Sequence, residues 1–310
     1  DGYVGKPPEL GTDVFAMGTS TGNSGDDIDS GFPVDFGFAK RTATAEGWYT
    51  SARLMEGLHL YTDTTAAEAS NSYFPFDNNV GWTKGLNAGY QAWMWKRHAG
   101  FDVVTYKGNG TAGHQIPHSM NAVPEMMFVK HRTASENWIV YHKGLNGGSS
   151  PDNYRIQLNS DQGETNDNVD GWNDTMPTSR DFTLGSGESV NKDGDSFIAM
   201  LFASVDGISK VGYYTGDGST DGSNVITTGF APRLLIIKRV DATSDWCLYD
   251  TLRAPSFSGA DKYLHLNNSN AQDSTSGDDP LNQLSTGFSF NLGFQNVNGN
   301  GSKYIYYAHA

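Results

Sequence analysis

The residues of this chain with the clearest potential for ligand chemistry are aspartates in glycine-rich turns. Asp193 and Asp195 lie in an Asp-Gly-Asp-Ser run, and Asp217 and Asp221 lie in an Asp-Gly-Ser-Thr-Asp-Gly run. Carboxylate oxygens on flexible loops suit Ca²⁺, although neither run carries the terminal glutamate of an EF-hand loop. Asp-Gly is also an ordinary turn dipeptide. The sequence therefore allows a structural calcium ion at these four residues, with plain turns as the alternative.

Two tryptophans stand in polar, glycine-rich segments. Trp82 follows Asn-Asn-Val-Gly, and Trp172 lies in an Asp-Gly-Trp-Asn run. A tryptophan beside amides and carboxylates suits stacking on a sugar ring, but the same residue also serves as a loop anchor. We predict that Trp82 and Trp172 bind a ligand, which requires both rings to be exposed on one face.

Motifs for catalysis are absent from the sequence. His114 and His118 could be metal ligands on a helix, but Pro117 between them breaks that helix. There is no nucleophile elbow, phosphate-binding loop or His-Glu-x-x-His run. The 35 acidic residues carry no local signature of a glycosidase pair. We predict no catalytic residue, no enzymatic activity and no cofactor other than the possible calcium ion.

An internal repeat must position these residues. Each of three copies contains an apolar run that ends in lysine, and a tryptophan follows eight residues later. A repeat of this kind is one folding unit or one layer of a stack. Tryptophan at one recurring position indicates packing within the core or between sheets. The three pairs are Lys40 and Trp48, Lys130 and Trp138, and Lys238 and Trp246.

The copies differ at a position four residues after the tryptophan. The third copy has Asp250 there, the second has His142 and the first has Ala52. This variation argues against an active site shared by the copies. We predict instead a local ion pair or hydrogen bond between Asp250 and Arg253.

Composition and strand patterns predict an all-β fold. The chain has 37 glycines, and only 18% of its residues are charged, below the usual fraction of about 25%. Residues 126–130 and 234–238 are almost continuously apolar, as expected for strands covered on both faces. Frequent turn signals then predict three tandem antiparallel β-sandwich or jelly-roll-like repeats. The predicted boundaries are 1–17 for an N-terminal extension, then 18–100, 101–206 and 207–310 for the repeats.

The first copy is shorter than the others. In it, 42 residues separate Trp48 from Tyr90, whereas the equivalent separations are 59 and 58 residues in the second and third copies. The middle loop of the first copy is therefore trimmed.

Charge narrows the possible partners. There are 21 Lys and Arg residues against 35 Asp and Glu, a formal charge of −14, which disfavours binding to nucleic acid and to anionic lipid. No apolar run is long enough to cross a bilayer. A single cysteine, Cys247, excludes an internal disulfide and indicates a packing role. Because the chain begins at Asp1 without methionine, we expect that a preceding segment has been removed or is missing from the sequence.

Several motifs together resemble tandem-repeat structural and tail-fibre-like proteins of tailed bacteriophage virions, especially marine ones. The pattern Gly-Phe-Ala-Pro-Arg-x-x-Ile-Ile-Lys-Arg at residues 229–239 carries the likeness, with Trp-Cys-Leu-Tyr-Asp-x-x-Arg at 246–253 and Tyr-Ile-Tyr-Tyr-Ala at 304–308. Residues 116–120, 139–145 and 213–219 strengthen it. The likeness covers essentially the whole chain, and the first copy departs most from the pattern.

The resemblance implies a surface-exposed virion component, in a tail fibre or in a head or tail decoration, that assembles with other virion proteins and adheres to the host. It transfers no catalytic or binding residue. Fibres of such virions usually assemble as homotrimers, so a homotrimer is expected. One alternative is a lectin-like module that recognises host glycans through Trp82 and Trp172. Another is a polysaccharide-degrading spike, which requires two carboxylates about 5–9.5 Å apart in one groove.

Overall fold

The chain folds almost entirely into β-strands. A computed structural model describes residues 10–22, 28–55, 57–70, 73–82, 86–167, 169–257, 262–274 and 280–310. Residues 1–9 of the predicted N-terminal extension lie outside these ranges. Among the described residues, helical structure is limited to α1 (Glu188–Asn191) and the 3₁₀ turns Gly11–Asp13, Arg53–Met55, Leu145–Gly148, Pro151–Asn153 and Pro255–Phe257, and no helix there is long and apolar enough to cross a membrane. The predicted all-β class is confirmed.

Twenty-five strands are present in the described parts of the chain. The first copy contains β1 (Phe15–Thr19), β2 (Ile28–Asp29), β3 (Phe36–Arg41), β4 (Tyr49–Ala52), β5 (Leu58–Tyr61), β6 (Ala69–Ser70), β7 (Gly81–Trp82) and β8 (Tyr90–Trp95). The second contains β9 (Phe101–Lys107), β10 (His114–Pro117), β11 (Met126–His131), β12 (Ile139–His142), β13 (Tyr154–Gln157), β14 (Thr165–Asn166), β15 (Asp181–Leu184) and β16 (Ser196–Phe202). The third contains β17 (Ser209–Thr215), β18 (Val225–Thr227), β19 (Leu234–Arg239), β20 (Trp246–Asp250), β21 (Lys262–His265), β22 (Asp273–Ser274), β23 (Leu281–Leu284), β24 (Gly287–Phe290) and β25 (Lys303–His309).

Each copy is dominated by one six-stranded antiparallel sheet, and the strand order is the same in all three. The orders are β1-β8-β3-β4-β5-β6, β9-β16-β11-β12-β13-β14 and β17-β25-β19-β20-β21-β22. The last strand of each copy therefore lies between its first strand and the strand that carries the repeated lysine. Strand β1 crosses the predicted boundary between residues 17 and 18.

A smaller sheet accompanies each large one. These sheets are β2-β7, β10-β15 and β18-β24-β23. Their side chains join three separate apolar clusters on the outer faces of the large sheets. Each copy is thus a sandwich of a large and a small antiparallel layer.

The inner faces of the three large sheets share one core. In β19, Leu234 and Ile236 belong to a central cluster, whereas Leu235 and Ile237 belong to the outer cluster of the third copy. The central cluster also contains buried residues of the first two copies, such as Phe38. Burial on both faces explains why β19 reads as a continuous apolar run. The copies are therefore joined through their cores.

Candidate functional site

The repeated tryptophans link neighbouring copies. Each indole Nε1 donates a hydrogen bond to a backbone carbonyl of another copy, always at the last residue of the equivalent strand. The pairs are Trp48 to His265 at 2.8 Å, Trp138 to Tyr61 at 2.8 Å and Trp246 to Gln157 at 2.9 Å. The first copy thus bonds to the third, the second to the first and the third to the second. This cyclic order closes the copies into a ring, and the predicted packing role of these tryptophans is confirmed by their burial.

The repeated lysines strengthen the same three contacts, which we call the seams. All three lysines are buried, and each ammonium donates to at least one carbonyl in its own copy and to one in the neighbouring copy. The acceptors are Glu46 and Ser269 for Lys40, His131, Ala134 and Thr65 for Lys130, and Ser244 and Asp161 for Lys238. Burial lowers the pKa of each lysine to about 8, because desolvation disfavours the charged form. The most conspicuous sequence motif is therefore structural.

A buried ion pair joins the third copy to the first. The Arg253 guanidinium donates from Nε to Asp250 Oδ2 at 2.7 Å, which confirms the predicted local pair. The same oxygen accepts hydrogen bonds from the Gln91 amide at 3.0 Å and from Trp93 Nε1 at 3.2 Å. Gln91 and Trp93 lie in β8 of the first copy, so the Asp250 carboxylate links the third copy to the first.

The prediction that Trp82 and Trp172 are exposed is wrong. Trp82 is 0% exposed and Trp172 is 1% exposed. A Cβ built at Gly37 would approach the Trp82 ring to 2.5 Å, and the Trp172 indole donates to the Tyr154 carbonyl at 3.1 Å. Both rings are buried in the outer apolar clusters of their copies and cannot stack on a glycan in this conformation. Polar residues next to a tryptophan in the sequence indicate only that the segment is polar. Whether the ring itself is exposed depends on how it packs against the sheet.

The four aspartates proposed as calcium ligands are not brought together. Among the described residues, no group of three or more His, Cys, Asp or Glu side chains is arranged to hold a metal ion. Asp217 and Asp221 each accept a backbone N–H from two residues on, at 2.8 and 3.0 Å. Asp195 contacts His131 Nε2 at 3.0 Å, and Asp193 is exposed in the turn before β16. These contacts are those of the alternative, plain turns.

A tyrosine-lined pocket of about 180 Å³ lies on the outer face of the first copy. Its lining residues are Tyr49, Tyr73, Leu86, Asn87 and Tyr90. Tyr73 is 46% exposed, and the Tyr49 and Tyr90 ring centroids are 6.2 Å apart. Ring faces pack against the apolar face of a sugar, while amide and hydroxyl groups satisfy its hydroxyls. The pocket therefore has the chemistry that was predicted for Trp82 and Trp172.

Polar contacts hold Tyr90 in place at this pocket. Its hydroxyl donates to Glu46 Oε2, and Glu46 Oε1 lies 3.3 Å from Arg41 Nη1. The hydrogen bond from Tyr90 lowers the pKa of Glu46, whereas burial raises the pKa of Tyr90. Since the hydroxyl proton is committed to Glu46, the Tyr90 oxygen can only accept a hydrogen bond from a ligand.

Buried aromatic rings support the pocket from inside the sheet. The Tyr49 centroid is 5.5 Å from that of Phe74, which is 5.0 Å from that of Trp82. Trp82 thus contributes to the pocket as a support for Phe74 and Tyr49. This packing restricts the movement of the Tyr49 ring, which reduces the conformational entropy lost when a ligand binds.

Among the residues that the structure describes, the first copy exposes this surface and the equivalent positions of the other two copies are buried. Tyr49, Ile139 and Cys247 are equivalent, because each faces the last residue of the next strand. Tyr49 is partly exposed, whereas Ile139 and Cys247 are buried. The segment before the closing strand is residues 83–89 in the first copy but 185–195 and 291–302 in the others. The shorter first copy was visible in the sequence and could have directed attention to this face. Its tyrosines were missed because they come from three separate segments.

Comparisons with known proteins place the chain in a family. A search of curated proteins found no match. Residues 12–310 match a family described as a domain of unknown function, DUF7483. This match spans all three six-stranded sheets, as expected if the shared core makes them one folding unit. The chain therefore belongs to the DUF7483 family.

Proposed function

We propose that the protein is a surface-exposed structural component of a tailed-bacteriophage virion, in a tail fibre or a decoration, that adheres to the host surface. The tyrosine-lined pocket carries the adhesive part of the proposal. The motifs that resemble virion repeat proteins support the location. A formal charge of −14 opposes anionic partners, so a neutral host glycan is the proposed ligand.

The same proposal gives the protein a non-catalytic, assembling role. The three buried lysines and Asp250 engage structural partners in the ring, which supports a scaffold. Within one chain, the inner faces of the three large sheets are buried against one another. Contacts with other virion proteins, or with two further copies in a homotrimer, therefore have to use the outer faces or the ends of the ring.

A lectin-like module is the second candidate, and the tyrosine pocket favours it too. In this reading, recognition of a host glycan is the whole function, and its location on a particle is incidental. The two candidates differ in whether the chain is an integral part of the virion. Antibody labelling of intact particles separates them.

Tyr73→Ala is the variant that tests adhesion. Removing an exposed ring from the pocket should weaken binding on a glycan array about tenfold, the equivalent of about 1.4 kcal/mol. Tyr213→Ala is the matched control, because Tyr213 is 49% exposed but lies on the third copy outside the pocket. Its binding should equal that of the unmodified protein.

Two results would contradict the proposal. A folded protein that binds no glycan, or whose binding is unaffected by Tyr73→Ala, removes the adhesive role of the pocket. Intact particles that an antibody to this chain does not label remove the virion location. Trp82→Ala is unsuitable for the first test, because loss of a buried ring lowers stability as well as any binding.

A further inference from the structure

A larger cavity, of about 390 Å³, lies beside the β13–β14 hairpin of the second copy. This volume falls in the range of about 300–1,000 Å³ that is typical of small-molecule sites. Its polar lining consists of Arg155, Gln157, Gln162, Glu164 and Thr165. The cavity shares no residue with the tyrosine pocket of the first copy.

The other two copies have aromatic pairs where this cavity is lined by Arg155 and Gln157. Strand register makes Gln157 equivalent to Tyr61 and His265. In the first copy the rings of His59 and Tyr61 are 4.9 Å apart, and in the third the rings of Tyr263 and His265 are 5.3 Å apart. The second copy thus replaces two packed rings with two hydrogen-bonding side chains.

Contacts with the third copy fix the position of the loop that lines the cavity. The Glu164 amide donates to the Val240 carbonyl at 2.7 Å, and Lys238 Nζ donates to the Asp161 carbonyl at 2.9 Å. These bonds fix the loop that lines the cavity. The carbonyl of Gln157, another lining residue, accepts the Trp246 indole N–H. Because both lining segments are held at the seam, binding a ligand should cost little conformational entropy.

The lining of the cavity carries one cationic and one acidic side chain, Arg155 and Glu164. Arg155 Nε lies 3.0 Å from Oδ1 of the buried Asp167, and Glu164 Oε2 accepts the backbone N–H of Asn146 at 2.6 Å. Burial raises the pKa of Asp167 to about 6 and raises that of Glu164. Two glutamine amides and a threonine hydroxyl supply both donors and acceptors. This set suits a ligand with several hydroxyls and no net charge.

We propose that this cavity binds a neutral pyranose sugar through Arg155, Gln157, Gln162, Glu164 and Thr165. The site is separate from the adhesion assigned to the tyrosine pocket and does not depend on it. Its recognition is by hydrogen bonds, whereas the tyrosine pocket uses ring faces. One chain would then contact a polysaccharide at two chemically different points.

The test is an NMR titration of the full chain with ¹⁵N-glutamine labelling. The probes are D-glucose, D-galactose, D-mannose and N-acetyl-D-glucosamine, with N-acetylneuraminic acid as the anionic comparison. Saturable shifts of the Gln157 and Gln162 side-chain amides are expected with at least one neutral sugar, with a dissociation constant on the order of 1 mM. No saturable shift with any neutral sugar, or preference for the anionic sugar, would overturn the proposal.

Variants locate the binding. The double substitution Arg155→His with Gln157→Tyr gives the second copy the two residues that the first copy has at these positions. The two rings should fill the cavity and abolish binding. Gln162→Ala changes an exposed side chain and should weaken binding about threefold to tenfold, as expected for the loss of one hydrogen bond. Unchanged affinity in Gln162→Ala, together with binding retained by a folded double variant, would place the sugar elsewhere. Tyr73→Ala should leave these shifts unchanged, so failure of the adhesive pocket and failure of this site are distinguishable.

Discussion

The three copies agree closely at the seams of this protein and differ on its outer hairpin faces. At the seams the three copies use the same residues with nearly the same geometry: each has a tryptophan hydrogen bond of 2.8–2.9 Å. Each also has a backbone bond of 2.7 Å between copies, from Glu68 to Arg132, from Glu164 to Val240 and from Gln272 to Thr42. On the outer hairpins the equivalent side chains are His59 and Tyr61, Arg155 and Gln157, and Tyr263 and His265.

The difference follows from ring closure. Each seam joins equivalent surfaces of two neighbouring copies. A substitution that alters the geometry of one seam therefore also affects whether the ring can close. The outer faces take no part in ring closure. The residues on each of them can therefore fill a site, expose it or leave a cavity without affecting the other copies. The sites that we propose lie where the copies differ, as expected if function is carried by sites grafted on a common scaffold.

Removal of a seam tryptophan should have the largest effect. Trp48→Ala, Trp138→Ala and Trp246→Ala should each lower the free energy of unfolding by about 3–5 kcal/mol, measured by urea denaturation. Substitution by Phe keeps a ring but loses the donor, and should cost less. If one of the three tryptophans can be removed at little cost, the seams are not equivalent and the comparison fails.

Asp250→Asn tests a contact that only one seam possesses. It leaves the Arg253 charge buried without its counter-charge, so a loss of about 3 kcal/mol is expected. Asp241→Asn is the control, because the Arg239–Asp241 pair is partly exposed and should contribute less than about 1 kcal/mol. Equal effects of the two substitutions in urea denaturation would mean that the buried pair adds nothing special to closure.

The equivalent residue of the second copy, His142, should make stability depend on pH. Its Nδ1 accepts the Gly144 amide and its Nε2 contacts the Tyr306 carbonyl at 3.2 Å, so the neutral Nε2–H tautomer satisfies both partners. Burial lowers the pKa of His142 from 6.5 to about 3. Between these values the unfolded chain binds a proton that the folded chain does not. Stability should therefore fall as pH falls from 6.5, by at most about 1.4 kcal/mol per pH unit from this residue.

Unfolding free energies of His142→Gln at pH 7 and pH 4.5 check this prediction. The variant should lose less stability on acidification than the unmodified protein. An identical loss would show that other groups, such as the buried His98 and His309, whose pKa values are lowered to about 4 and about 3, account for the acid sensitivity.

Much of the architecture was predictable from the sequence, and the candidate sites were not. The lysine and tryptophan spacing, the apolar strands and the Asp250–Arg253 pair are local patterns, and local patterns report secondary structure and repetition. The predicted exposure of Trp82 and Trp172 was wrong. Exposure of a ring depends on which distant segments pack around it, and a local pattern carries no such information.

The sequence by itself predicted the all-β class, which the structure confirms, and it showed the recurring spacing of lysine and tryptophan. Tertiary structure alone decided that the copies share a core and close into a ring, because closure depends on contacts as distant as Trp48 with His265. It also decided where cavities remain. Tyr49, Tyr73 and Tyr90 meet only when three segments fold together. The cavity beside Arg155 is bounded by the end of β13 and by the loop before β14, and both segments are held by hydrogen bonds to the third copy.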